Sequence, residues 1–93
     1  MYKEKLIKSI HELFSALKSL EVDEGIRVHC RYDGKECYAF ITKPCEKFTV
    51  VVHTKKEDGA PGDRVFFSEK LDYDEIKTLL KSWTKEGFKA YRY

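Results

Sequence analysis

Residues 26–43 read IRVHCRYDGKECYAFITK. From Ile26 to Tyr32 apolar and polar side chains alternate, the period of a half-buried strand. Asp33-Gly34 supplies the two residues of a tight hairpin turn, whose centre requires positive φ. Residues 36–43 continue as a second strand. A two-residue turn leaves one pairing: Tyr32 with Lys35, Arg31 with Glu36, Cys30 with Cys37, His29 with Tyr38, Val28 with Ala39 and Arg27 with Phe40. The next breaker is Lys43-Pro44-Cys45-Glu46-Lys47, where Pro44 cannot donate to a central ladder. Residues 48–55 form the third strand. A turn from Pro44 to Lys47 sets Ile41 opposite Val50, Phe40 opposite Val51, Ala39 opposite Val52 and Tyr38 opposite His53. The two turns assign each side chain to the same face, so each assignment supports the other.

One face then holds Ile26, Val28, Cys30, Cys37, Ala39, Ile41, Val50 and Val52. It is small and apolar throughout and must be covered by helices. The other holds Arg27, His29, Arg31, Tyr38, Phe40, Thr42, Thr49, Val51 and His53, with Phe66 expected to join it. That face is aromatic and basic, and two helices on the opposite side leave it open.

Outward from this hairpin, residues 2–21 carry Leu6, Ile7, Ile10, Leu13, Phe14, Leu17 and Leu20 at three- and four-residue steps, which predicts an amphipathic helix. Gly25 is expected to stop it in a left-handed conformation. Residues 57–63 read as a mobile loop and Arg64–Glu69 as a fourth strand. Asp72, with Glu75 three residues on, has the pattern of a capping box. Ile76, Leu79, Leu80 and Trp83 make the buried stripe of the helix that follows, and Gly87 is its expected C-cap. Residues 88–93 read either as a short final strand or, through Phe88, Tyr91 and Tyr93, as a tail folded over the open face. The expected fold is α+β in one domain, residues 1–93: a three- to four-stranded antiparallel meander with an N-terminal and a C-terminal helix on one face. The expected core is Leu6, Ile10, Leu13, Phe14, Leu17, Val28, Ile41, Val50, Val52, Ile76, Leu80 and Trp83.

At 93 residues the chain has room for one core, which argues against two-domain and most large-cofactor enzymes. No apolar run reaches the roughly 18 residues that cross a membrane, and the N-terminus shows no apolar leader. A cytoplasmic location is therefore expected. Asn and Gln are absent, and 18 Lys+Arg stand with 16 Asp+Glu. That is the residue use of heat-adapted proteins, so a thermophilic, archaeal source is expected. The net charge of +2 is small, yet seven Lys or Arg face three acids between residues 26 and 56. The basic excess thus lies in the strands.

Cys30 and Cys37, opposed across the hairpin with Cα atoms about 5.5 Å apart, have a spacing compatible with a disulfide, and two buried thiols are the favoured expectation. His29 and His53 share a face, but the strand of Tyr38 separates them by about 9.6 Å, too far to share a metal. No Gly-x-Ser-x-Gly and no phosphate loop occur. The order helix, three strands, helix, strand resembles the core of the restriction-endonuclease-like nucleases. That resemblance implies acidic metal ligands on the second and third strands, whereas Phe48-Thr-Val-Val-Val-His-Thr-Lys55 carries no acid. The order also resembles double-stranded-RNA-binding domains, which implies a basic start to the last helix. Here that helix starts Asp72-Tyr-Asp-Glu75. Neither resemblance carries a site over.

The expected function is that of a small non-catalytic binding protein, homodimeric and without cofactor or metal. Nucleic acid, preferably single-stranded, would lie on the open face. Tyr38 and Phe40 would stack on bases, Arg27, Arg31 and Lys55 would contact phosphates, and His29 and His53 would assist. The alternative is a protein-interaction module, a regulator or inhibitor of a cellular or viral protein, that uses the same face. An enzyme ranks third.

Overall fold

The computed structural model describes residues 5–93. The chain runs β1 (Lys5–Ile7), α1 (Ile10–Lys18), β2 (Gly25–Tyr32), β3 (Lys35–Thr42), β4 (Phe48–Lys55), β5 (Pro61–Leu71), α2 (Tyr73–Trp83) and β6 (Lys89–Arg92). The strands form one antiparallel sheet in the order β1-β6-β2-β3-β4-β5. The α+β class holds, with six strands rather than three or four.

The hairpin that decides the fold has the expected register at every pair, and so has the β3–β4 pair. Asp33 and Gly34 both take positive φ, 53° and 78°. This turn matches the right-handed twist of the strands it joins. Its parity buries the whole apolar face: Ile26, Val28, Ala39, Ile41, Val50 and Val52 are fully inaccessible, and Cys30 and Cys37 nearly so. Leu13 and Leu17 of α1 and Ile76, Leu80 and Trp83 of α2 complete one continuous core on that side. Burying each large aliphatic side chain is worth about 1.5–3 kcal/mol.

The N-terminal segment departs from the expected long helix. Residues 2–4 of it lie outside the described residues. Residues 5–7 are a strand, and α1 begins only after Ser9, whose hydroxyl accepts from the Glu12 amide at 3.1 Å. The Glu12 carboxylate in turn accepts from the Lys8 amide at 2.8 Å. Ser9 with Glu12 is a start signal that the apolar spacing of Leu6 and Ile7 masks. In the strand these two residues alternate: Ile7 enters the core, while Leu6 is 53% exposed on the opposite face. Leu6 is therefore not a core residue, and Ile10 and Phe14 pack only at the edge of the core. The helix ends at Ser19, not at Gly25.

The C-terminus is a strand inside the sheet, not a tail across it. β6 lies between β1 and β2 and pairs with both. Gly25 and Tyr93 exchange two backbone hydrogen bonds of 2.9 Å. A Cβ on Gly25 would lie 2.8 Å from the Tyr93 ring. Gly25 thus serves as the seat of that ring. Phe88 packs against the core. The capping box of α2 forms as expected, but Thr84 is the C-cap. Gly87 follows three residues later, at φ 110°.

Arg92 ties this strand to the helix layer. Its guanidinium donates to Glu24 Oε1 at 2.7 Å, and to the Ser19 hydroxyl and carbonyl at 3.0 Å each. Chiefly through its hydrogen bond, Arg92 holds the Glu24 carboxyl below the ordinary glutamate range. A lowered folded-state value stabilises above the unfolded value, about pH 4.3, and the contribution is lost as pH falls through the folded value. Arg92→Ala is expected to cost about 1–2 kcal/mol at pH 7. The deficit relative to the parent should shrink in acid, as Glu24 is protonated in both. Urea denaturation at pH 7 and pH 3 checks this; an equal deficit at both would show that the ion pair contributes nothing.

Candidate functional site

Both helices lie on one side, so among the described residues no second layer covers the other side of the sheet. Cross-strand pairing arranges its side chains in rows. One row runs Leu6, Tyr91, Arg27, Phe40, Val51, Phe67 across all six strands. The adjacent row runs Lys89, His29, Tyr38, His53, Arg64. Neither row contains a carboxylate. Rings and cations meet directly: Arg27 lies 4.9 Å from the Tyr91 ring centre and Arg64 lies 5.5 Å from that of Phe67. Such contacts set a cation against a ring, whose quadrupole attracts it.

The residues expected to form the site are brought together on this face, with differences in role. Arg27, His29, Phe40 and His53 are half-buried, and Arg31 and Lys55 are exposed. Tyr38 departs from expectation: it is buried, at 6% exposure. Its hydroxyl donates to the Gly59 carbonyl, and the His29 ring meets it edge-on at 4.6 Å. Tyr38 is therefore a structural post and not a stacking platform. Phe66 also departs from expectation. A register irregularity in β5 turns it inward against Tyr32 and Trp83, and Phe67 takes the place on the open face. Tyr91 is the ring that strand assignment alone missed. Its face follows from the pairing of β6 with β2, which no local pattern announces.

The expected mobile loop is shorter and is tied down. β5 begins at Pro61 and leaves a tip of residues 56–60. Lys56 and Ala60 close it with a 2.9 Å backbone bond, and the Asp58 carboxylate accepts from the Ala60 amide at 3.0 Å. Gly59 takes φ 88°, a left-handed turn position.

The two histidines are set by different partners. Arg27 Nε donates to His29 Nε2 at 3.1 Å, so that nitrogen is an acceptor in the neutral ring. His53 Nδ1 donates to the Gly62 carbonyl at 3.0 Å. Tyr38 stands between them in the register. Among the described residues no three His, Cys, Asp or Glu side chains are grouped to hold a metal. At the far end of the face a groove of about 370 Å³ is lined by Arg31, Lys55, Lys89, Glu36 and Glu86, among others. Its carboxylates offset its cations, and Arg31 lies 3.7 Å from Glu86.

The sequence matches no protein-family model, and neither curated proteins nor solved structures yield a match.

Cys30 and Cys37 are opposed as expected, and both are free buried thiols; Cys45 is free and exposed. Burial pushes the Cys30 thiol up to about 12, with the neighbouring Cys37 adding to the effect, and burial raises Cys37 as well. Nucleophilic reactivity requires the thiolate, so both are inert at neutral pH. Iodoacetamide labelling of the native protein is expected to modify Cys45 alone, with Cys30 and Cys37 reacting only after denaturation. Native labelling of Cys30 would contradict this arrangement.

Proposed function

We propose that the protein is a non-catalytic binder of single-stranded nucleic acid, held on the open face of the sheet. The observation that carries the reading is the row Tyr91, Arg27, Phe40, Val51, Phe67 beside the row Lys89, His29, Tyr38, His53, Arg64. Rings and cations share these rows, and no carboxylate interrupts them. Bases stack on aromatic faces whatever their identity, while guanidinium and ammonium groups contact phosphates. Phe40 takes the stacking role, Arg27, Arg64 and Lys89 the phosphate roles, and Tyr91 and Phe67 are the rings against which Arg27 and Arg64 rest. His29 and His53 line the path between them.

A second reading rests on Leu6 and Phe67, 53% and 48% exposed at opposite ends of one row. Exposed apolar ends fit a protein partner, including a second copy of this chain in a homodimer.

Salt dependence separates the two. Fluorescence anisotropy with labelled single-stranded DNA and RNA is expected to give micromolar affinity at low salt. About three phosphate contacts would give a log–log salt slope of roughly −2. Arg27→Ala should weaken binding about five- to tenfold and make the slope shallower by about 0.7. Absence of binding to either strand at low salt would overturn the nucleic-acid reading in favour of a protein partner.

A further inference from the structure

The open face is not flat. Gly59 and Pro61, at the tip joining β4 and β5, line a groove of about 300 Å³ together with Arg27, His29, Tyr38 and Phe40. Arg27 and His29 stand on β2, which β3 and β4 separate from β5. Strands lie about 4.8 Å apart, so the tip shares a groove with β2 only because it curls over β3. The Tyr38 hydroxyl holds it there through the Gly59 carbonyl. Pro61 and Phe40 supply apolar surface to the groove, Arg27 supplies positive charge, and Tyr38 and His29 add rings.

We propose that this overhung groove takes one unstacked base of the bound strand, seated between Phe40 and Pro61, with the adjoining phosphate against Arg27. The inference rests on the nucleic-acid reading and adds to it a specific place for a base. The volume is at the lower end of the range for small-molecule sites, about 300–1,000 Å³, which suits one nucleotide and not a run of them. Charge complementarity chooses the occupant: the rows that contribute to the groove carry cations and no carboxylate. The overhang also accounts for single-strand preference. In a duplex each base is stacked on both faces, and a base can enter beneath the tip only when it leaves the stack.

The test uses the full chain and a labelled oligothymidylate of about twelve nucleotides, within the usual range of single-strand sites. Tyr38→Phe keeps the ring and removes the hydroxyl that holds the tip. Phe40→Leu keeps apolar volume and removes the stacking face. Thermal unfolding of each variant confirms that it is folded. Each is expected to weaken binding at least fivefold with an unchanged salt slope, because the phosphate contacts remain. The same strand without bases should bind the parent and both variants with equal, weaker affinity. Duplex of the same sequence should bind at least tenfold more weakly than the single strand. If the oligothymidylate binds with the expected salt slope and Phe40→Leu weakens it but Tyr38→Phe stays within twofold of the parent, the base-pocket inference is overturned and the platform reading stands. If no strand binds at low salt, both fall together.

Discussion

Everything in this molecule depends on the parity set by Asp33-Gly34. A two-residue turn with positive φ at both positions allows one register between the strands that flank it. A slip of one residue would exchange the two faces of β2, carrying Val28 to solvent and Arg27 into the core. The cost would be several buried aliphatic side chains at about 1.5–3 kcal/mol each, together with desolvated charges. The register observed from Gly25↔Thr42 to Tyr32↔Lys35 is the arrangement that avoids both. The same constraint that makes the core also gathers Arg27, His29, Tyr38 and Phe40 on the other side. Core and candidate site are thus two consequences of one turn.

What was legible in the sequence follows from this locality. The β2–β3–β4 registers, the buried face and the α2 capping box are all written in residues close together along the chain. The terminal strands are not. Lys89–Arg92 pairs with Lys5–Ile7 across almost the full length of the chain, and with β2 on its other side. Nothing in LysLeuIle or LysAlaTyrArg states a partner, and Leu6-Ile7 followed by Ile10 mimics a helical stripe. The β5 register is hidden for a different reason. Irregular pairing with β4 and the positive φ of Lys70 break the two-residue period. Simple alternation then places Phe66 on the wrong face and overlooks Phe67. The candidate site was accordingly legible at its centre and not at its margins. Arg27, Phe40, His29 and His53 came from the hairpin, whereas Tyr91, Phe67 and Pro61 required the tertiary structure.

Irregularity in β5 has a use of its own. An edge strand of eleven residues offers unpaired backbone groups to any other chain. Pro61, the pairing shifts against β4 and the charged residues Asp63, Arg64, Glu69 and Lys70 all work against continued edge pairing. Association through this edge is therefore discouraged.

The open face is itself held in a partly protected state. A bare aromatic sheet face would be an aggregation hazard, and three features reduce its exposure without closing it. The β4–β5 tip covers Tyr38. β6 enters the sheet and brings Tyr91 beneath Arg27. Gly25 lets the Tyr93 ring close onto the sheet end, where a Cβ would leave no room. Each also fixes a side chain before any ligand arrives: Arg27 rests on Tyr91 and bonds to His29, and Tyr38 is locked to Gly59. Ordering a flexible side chain at an interface costs about 0.5–1.5 kcal/mol. A face whose rings and guanidinium are already seated avoids most of that cost. On the proposed reading, the same contacts that keep the face from indiscriminate association would also hold it ready for a ligand of matching shape and charge.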